Sequence, residues 1–200
     1  MITSPTWYIL GTGLSAQKYL SSSIYPVLGL NYAIQHPHIH AITSCDRHFP
    51  RKLHTQQWVD LGSNAHCLFT LSDHSLLPHA TWWKFTHGTT PSPDRLITNA
   101  QNTGLSAINL CIYGLGAREI YLMGYDFDLS NKKWTHEPQV ERTHRERILA
   151  AYTESAPIYR EWGVQIYNTN PQSRLTCFPY KEIPHVEGST PHSIDHPPRV

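Results

Sequence analysis

Charge is scarce in this sequence. Only 16% of its 200 residues are Asp, Glu, Lys or Arg, and 16 basic against 15 acidic side chains leave a formal net charge of +1. That balance excludes a nucleic-acid binder that works by bulk positive charge. Long apolar runs are also missing: no stretch approaches the ~20 residues that a membrane-spanning helix needs. The segment Met1–Pro5 lacks the basic-then-apolar order of a secretory signal. Cysteine is limited to Cys45, Cys67, Cys111 and Cys177. They are widely spaced and form no C-x-x-C pair, which argues against a zinc ribbon or a disulfide framework and fits reduced thiols in the cytoplasm. Neither a full G-x-G-x-x-G nor a Gly-Lys-Ser/Thr phosphate loop occurs. A chain of this length buries about 70% of its unfolded surface and needs no covalent staple. These absences leave a cytoplasmic protein with one domain and no membrane association. Histidine, by contrast, is plentiful: the 14 imidazoles make the protein distinctly cationic below about pH 6.5.

Short apolar runs alternating with helical patterns predict an α/β fold, a single Rossmann-like domain with a mostly parallel sheet flanked by helices. The runs are Thr6–Leu10, Val27–Leu30, Ile39–Cys45, Cys67–Leu71, Thr81–Phe85, Arg118–Met123 and Val164–Tyr167. Helices are expected from Ser15 to Leu20, from Thr103 to Leu115 and from Glu141 to Trp162, the last kinked by Pro157. Residues 1–183 read as this one domain, and the Pro/His-rich residues 184–200 read as a mobile tail.

In parallel sheets ligands bind beyond the carboxyl ends of the strands, so the strand-end residues carry the functional reading. Gly11, Thr12, Gly13 and Ser15 follow the first strand. Their glycines admit close backbone approach to a phosphate, although an ordinary turn with Ser15 as helix cap explains them equally. Asn31 and Asp46 end the second and third runs, where they either read a nucleotide's hydroxyls and base edge or serve turn chemistry. Asn102, Thr103 and Gly104 open a buried helix, either as caps or as an anion site. Asp126, in Gly124–Phe127, ends the strongest strand, where a carboxylate contacts ligand or accepts loop N–H groups. His136 and His144 follow it as candidate general bases. His36, His38 and His40 alternate on one strand face, which suits solvent better than a metal. Trp82, Trp83, Trp134 and Tyr125 are available for stacking on a base or for packing.

The stretch Asn102–Ser106 (NTGLS) followed by Leu115–Phe127 (LGAREIYLMGYDF) resembles the core of the family 42 sialyltransferases. It also resembles related Rossmann-like proteins of the DUF115 group, which includes a pterin diphosphokinase, and resembles phage proteins as well. The Gly11–Ser15 loop, Asn31 and the late Ile166–Leu175 segment (IYNTNPQSRL) agree in order. The resemblance spans Tyr8 to Phe178, and Arg47–Pro93 has no counterpart.

The resemblance implies that Gly11, Thr12, Gly13, Asn31, Thr103 and Gly104 hold a cytidine nucleotide, that His144, with His136 second, is the general base, and that no metal is needed. Thr12 and Asp46 stand where, or near where, the family has Asn. Asp128 replaces the first of two tyrosines that assist the leaving phosphate, with Trp134 the nearest aromatic. A carboxylate there opposes developing phosphate charge, so the resemblance carries nucleotide binding further than sialyl transfer.

The resulting expectation is a metal-independent, nucleotide- or nucleotide-sugar-dependent, glycosyltransferase-like transferase using a CMP- or UDP-type donor. Gly11, Gly13 and Ser15 cradle its phosphate, Asn31 and Asp46 read ribose or base, Asp126 orients donor or acceptor, and His144 takes the acceptor's proton. The acceptor is a glycan or a modified nucleic acid, and an oligomer is compatible with the sequence. The alternatives are a Mg²⁺-dependent diphosphotransferase of the DUF115 type and a non-catalytic module that binds a nucleotide or modified DNA.

Overall fold

A computed structural model describes residues 4–19, 26–31, 33, 39–44, 67–70, 81–82, 84–86, 91, 97–99, 102–127 and 142–183. Strands β1 (Thr6–Leu10), β2 (Val27–Leu30), β3 (Ala41–Ser44), β4 (Cys67–Thr70) and β5 (Thr81–Trp82) come first, with a 3₁₀ helix at Leu14–Tyr19. The short strands β6 (Lys84–Thr86) and β7 (Ile97–Asn99) precede helix α1 (Thr103–Tyr113). Strand β8 (Glu119–Met123), helix α2 (Arg142–Glu161) and strand β9 (Gln165–Asn168) follow.

Among the described residues, seven strands form one sheet in the order β5-β4-β3-β2-β1-β8-β9, and β6 and β7 form a separate pair. All the pairings in both sheets are parallel. The α/β fold with a parallel sheet is therefore as the sequence predicts. The chain builds leftward from β1 to β5, then returns to place β8 on the other side of β1. The reversal makes the β1/β8 junction the topological switch point, where the carboxyl ends of neighbouring strands diverge and open a crevice.

Period-two patterning explains why the sheet has two apolar faces. Trp7 and Ile9 of β1, Leu28 and Leu30 of β2, and Ile120 and Leu122 of β8 pack with α1 and α2 in the larger core. Leu10, Val27, Tyr121 and Met123 point to the other face, with Ala16, Tyr19 and Ile183. Helix α1 is buried from Thr103 to Ile112, so it sits inside the molecule and its start is fixed by tertiary packing. Helix α2 runs through Pro157 without interruption, longer than a strict helix-breaking reading of that proline allows. Ser15–Leu20 is expected as a helix opening, and the tighter 3₁₀ form takes its place.

No helix among the described residues is long and apolar enough to cross a membrane.

Candidate functional site

The loops after β1 and β8 meet at the switch point. The Gly11 N–H donates to the Met123 carbonyl at 2.7 Å and the Gly13 N–H to the Gly124 carbonyl at 3.0 Å. A Cβ on Gly13 would lie 2.5 Å from the Gly124 oxygen and 2.6 Å from Asp126 Oδ2. Both glycines are therefore needed for the close approach of two strand ends. Their amides donate to backbone carbonyls, so a phosphate at this loop would be met by other backbone than those two N–H groups. Thr12, between them, is partly exposed.

Asp126 is buried at this junction. Its Oδ2 accepts the Ser15 N–H at 2.9 Å, and Oδ1 accepts both the Ser15 hydroxyl and, at 2.9 Å, Asn170 Nδ2. Three donors on one carboxylate make it the buckle between the glycine loop, the end of β8 and the loop after β9. The geometry is that of the alternative in which Asp126 accepts loop N–H groups. Phe127, next in the chain, has φ +48°, a left-handed conformation that costs a non-glycine residue about 1–3 kcal/mol and that the surrounding packing must hold.

The start of α1 forms the second half of the site. Asn102 caps the helix: its Oδ1 accepts the Gly104 N–H at 2.8 Å and the Tyr152 hydroxyl of α2 at 2.9 Å. Thr103 donates its hydroxyl to Asn31 Oδ1 at 3.4 Å, which joins the helix start to the end of β2. Asn31 has φ +46°, a turn conformation that Asn tolerates better than most residues. The Tyr125 hydroxyl reaches toward the Gly104 carbonyl at 3.5 Å, linking the helix start to the residue beside Asp126. A helix N-terminus carries partial positive charge and suits an anion.

Helix α2 connects β8 to its parallel neighbour β9, a crossover that returns the chain from the carboxyl to the amino side of the sheet, so the first turns of α2 are its turns nearest the carboxyl side. His144 is in that first stretch, two helical turns or about 12 Å of axial rise before Tyr152. Its Nδ1 stands 3.3 Å from Arg147 Nη2. A guanidinium only donates, so Nδ1 accepts there.

The structure thus brings Gly11, Gly13, Ser15 and Asp126 together, and separately Asn31, Asn102, Thr103 and Gly104. Asp46, His136, Asp128, Trp134, His36, His38 and the 184–200 tail lie outside the described residues. His40 Nδ1 accepts the Val27 N–H at 3.1 Å, a structural role. Tyr125 is buried in edge-to-face contact with Tyr152, ring centroids 6.1 Å apart, so it packs in the core and does not stack on a ligand. Burial pushes the Cys111 thiol well up, which keeps it protonated and inert.

Residue-by-residue reading missed the segment after β9. Asn168 Nδ2 donates to the Tyr125 carbonyl at 3.3 Å, and the Ser173 hydroxyl donates to that carbonyl and, at 3.1 Å, to that of Asp126. The Arg174 N–H reaches the same Asp126 carbonyl at 3.1 Å. This strap holds the Tyr125–Asp126 turn from the outer side. Apart from its place in the family resemblance, its signal in the sequence is the polar density of Asn168–Ser173, which local patterns attribute to a loop.

The same arrangement of elements is found in solved sialyltransferases. CstII from Campylobacter jejuni, in complex with the substrate analogue cytidine-5'-monophosphate, superposes with a TM-score of 0.56 at 13% identity, covering 90% of this chain and 86% of that one. The same enzyme with CMP-3FNeuAc gives 0.56 at 14% identity, covering 94% and 89%. The sialyltransferase CST-II with a trisaccharide acceptor and CMP gives 0.57 at 14% identity, covering 92% and 89%. The fold is sialyltransferase-like. No protein-family model matches the sequence, and no curated protein matches it.

Proposed function

We propose that this protein is a nucleotide-sugar-dependent glycosyltransferase whose donor carries a cytidine-type nucleotide. The observation that carries the reading is a coincidence of two kinds. The crevice fixed by strand order at β1/β8 is flanked by the residues that the sequence alone singles out. The whole fold, moreover, is shared with enzymes whose structures hold CMP, a CMP-sugar analogue or a glycan acceptor.

In this reading the α1 N-terminus receives the donor phosphate, with Thr103 and Asn31 at its side for the ribose or base. Thr12, on the β1 loop, contacts the same donor. Gly11, Gly13, Ser15 and Asp126 shape the floor without themselves binding phosphate. His144 takes the acceptor hydroxyl's proton. As the acceptor oxygen bonds to the sugar's anomeric carbon, the bond from that carbon to the nucleotide phosphate oxygen breaks and its electron pair leaves with the nucleotide. Fixed N–H groups at a helix start stabilise the negative charge that develops on that phosphate.

The test is a thermal-shift and calorimetric comparison of CMP with UMP, AMP and GMP, each with and without Mg²⁺, followed by product analysis with CMP- and UDP-sugars. CMP at about 100 times its dissociation constant adds about 2.7 kcal/mol of stability. A purine-only, Mg²⁺-requiring response overturns the reading in favour of diphosphate transfer. A nucleotide-sugar that binds but is recovered unchanged with every acceptor overturns the catalytic part and leaves a binding module.

A further inference from the structure

Tyr152 is buried on α2 and lies against both halves of the site. Its hydroxyl donates to Asn102 Oδ1 at 2.9 Å, the same oxygen that accepts the Gly104 N–H and so starts helix α1. A Cβ on Gly104 would overlap that hydroxyl, so the absence of a side chain at 104 makes the space that Tyr152 fills. The Tyr152 ring also meets Phe127 edge-on at 5.5 Å and Tyr125 at 6.1 Å, the residues on either side of Asp126. On its own helix, His144 lies two turns earlier.

We infer that Tyr152 is a positioning residue: its hydroxyl, through Asn102, sets the α1 N-terminus at the ligand crevice and ties it to the helix that carries His144. The inference rests on the nucleotide-binding reading for its ligand part and on geometry alone for its hold on the helix start. Asn102 is the intermediary. With Tyr152 donating, Oδ1 is held in the plane where it accepts from Gly104. Without it the amide rotates more freely, and the first turn of α1 frays where an anion would be received.

The structure supplies a matched control. Tyr159 is buried on the same helix two turns later, and its hydroxyl has no hydrogen-bond partner among the described residues. Replacing either tyrosine by Phe removes one buried oxygen and keeps the ring, but among the described residues hydrogen bonding is lost only at 152.

The experiment measures amide hydrogen exchange at Gly104 and calorimetric CMP affinity for wild type, Tyr152→Phe and Tyr159→Phe. Loss of the hydrogen bond to Asn102 alone corresponds to a factor of about five. The expected result is Gly104 exchange about fivefold faster and CMP affinity about fivefold weaker in Tyr152→Phe, with Tyr159→Phe at the wild-type values. Unchanged exchange in Tyr152→Phe, or equal changes in both variants, overturns the inference. Faster exchange with undiminished CMP binding overturns its ligand part. A wild type that binds no cytidine nucleotide overturns the proposed function and that ligand part together, and Gly104 exchange alone then decides whether Tyr152 holds the helix start.

Discussion

Ser15 and Asp126, far apart in sequence, are joined twice: the Ser15 N–H donates to Oδ2 at 2.9 Å and its hydroxyl to Oδ1 of the same carboxylate. A buried carboxylate held by backbone and side-chain donors is a clasp between two strand-end loops. Asp126→Asn keeps the shape but turns one acceptor into a donor, which then faces either the Ser15 N–H or the other donors. Hydrogen bonds to charged groups contribute about 1.5–3 kcal/mol each, and an unmatched buried donor adds its own desolvation. The variant is expected to lose roughly 3 kcal/mol, about 6–12 °C in Tm for a domain of this size. Ser15→Ala removes the hydroxyl and leaves the N–H contact, so it falls by about half as much. Equal Tm values for Asp126→Asn and wild type would show that the carboxylate is not the clasp.

Gly104 and Tyr152 make a pair whose coupling is measurable. Gly104→Ala forces a Cβ against the Tyr152 hydroxyl and close to Asn102 Oδ1 and Tyr125. Overpacking of this kind costs about 1–3 kcal/mol. Removing the hydroxyl relieves part of the overlap, so Gly104→Ala with Tyr152→Phe should be more stable than the two single effects add to. The expected interaction energy is about 0.5–3 kcal/mol in a double-mutant cycle followed by denaturant unfolding. Strict additivity would mean that the hydroxyl is not what Gly104 accommodates.

How much of this was legible beforehand differs from residue to residue. Thr6–Leu10 and Val27–Leu30 are read with the same bounds as β1 and β2, because buried parallel strands are short apolar runs with sharp ends. The Thr103 start of α1 follows equally from its Asn102 cap. Strand β7 (Ile97–Asn99) goes unread, since three residues give no period to detect. Thr81–Phe85, read as one run, is split between β5 and β6 in different sheets, a tertiary decision that no local pattern encodes. In the site, the positions of Gly11, Gly13 and Asp126 are legible, but what they touch is not. A glycine needed for phosphate and one needed for a neighbouring carbonyl look alike in sequence. The Tyr152–Asn102 bond and the strap from Asn168 to Arg174 are contacts between elements distant in sequence, and only the folded structure places them.

On the sheet face away from α1 and α2, Lys181 Nζ lies 2.7 Å from Glu119 Oε1 and 4.2 Å from the centre of the Tyr167 ring. Partial burial pushes Glu119 up, but hydrogen bonds from Lys181, Tyr121 and Thr6 outweigh it and leave the carboxyl below its usual value. Lys181 is raised, chiefly by its hydrogen bond to Glu119. The lowered acid contributes stability above its unfolded value of about 4.3, lost as pH falls through the folded value. The raised base contributes below its unfolded value of about 10.4, lost only as pH rises through a higher one. Lys181→Met should therefore lower Tm by a constant amount between about pH 5 and 10, with the gap to wild type narrowing below about pH 4. A gap that persists at pH 3 would assign the effect to packing on Tyr167 instead.

His144 and Arg147 give the proposed reaction its sharpest test. Arg147 donates to Nδ1, so in the neutral ring the proton sits on Nε2 and Nδ1 holds the lone pair. A base working through Nδ1 must exchange Arg147 for the acceptor hydroxyl, which makes the guanidinium a competitor of the substrate. His144→Ala should lower kcat by about 10²–10⁴ while CMP affinity stays within about twofold, because the loss falls in the transition state alone. Arg147→Met should leave CMP affinity unchanged and raise kcat/KM for the acceptor. Equal losses of turnover and affinity in His144→Ala would make the histidine structural. A fall in kcat/KM in Arg147→Met would mean that the guanidinium assists the reaction, by orienting the ring or meeting the acceptor, and does not compete with it.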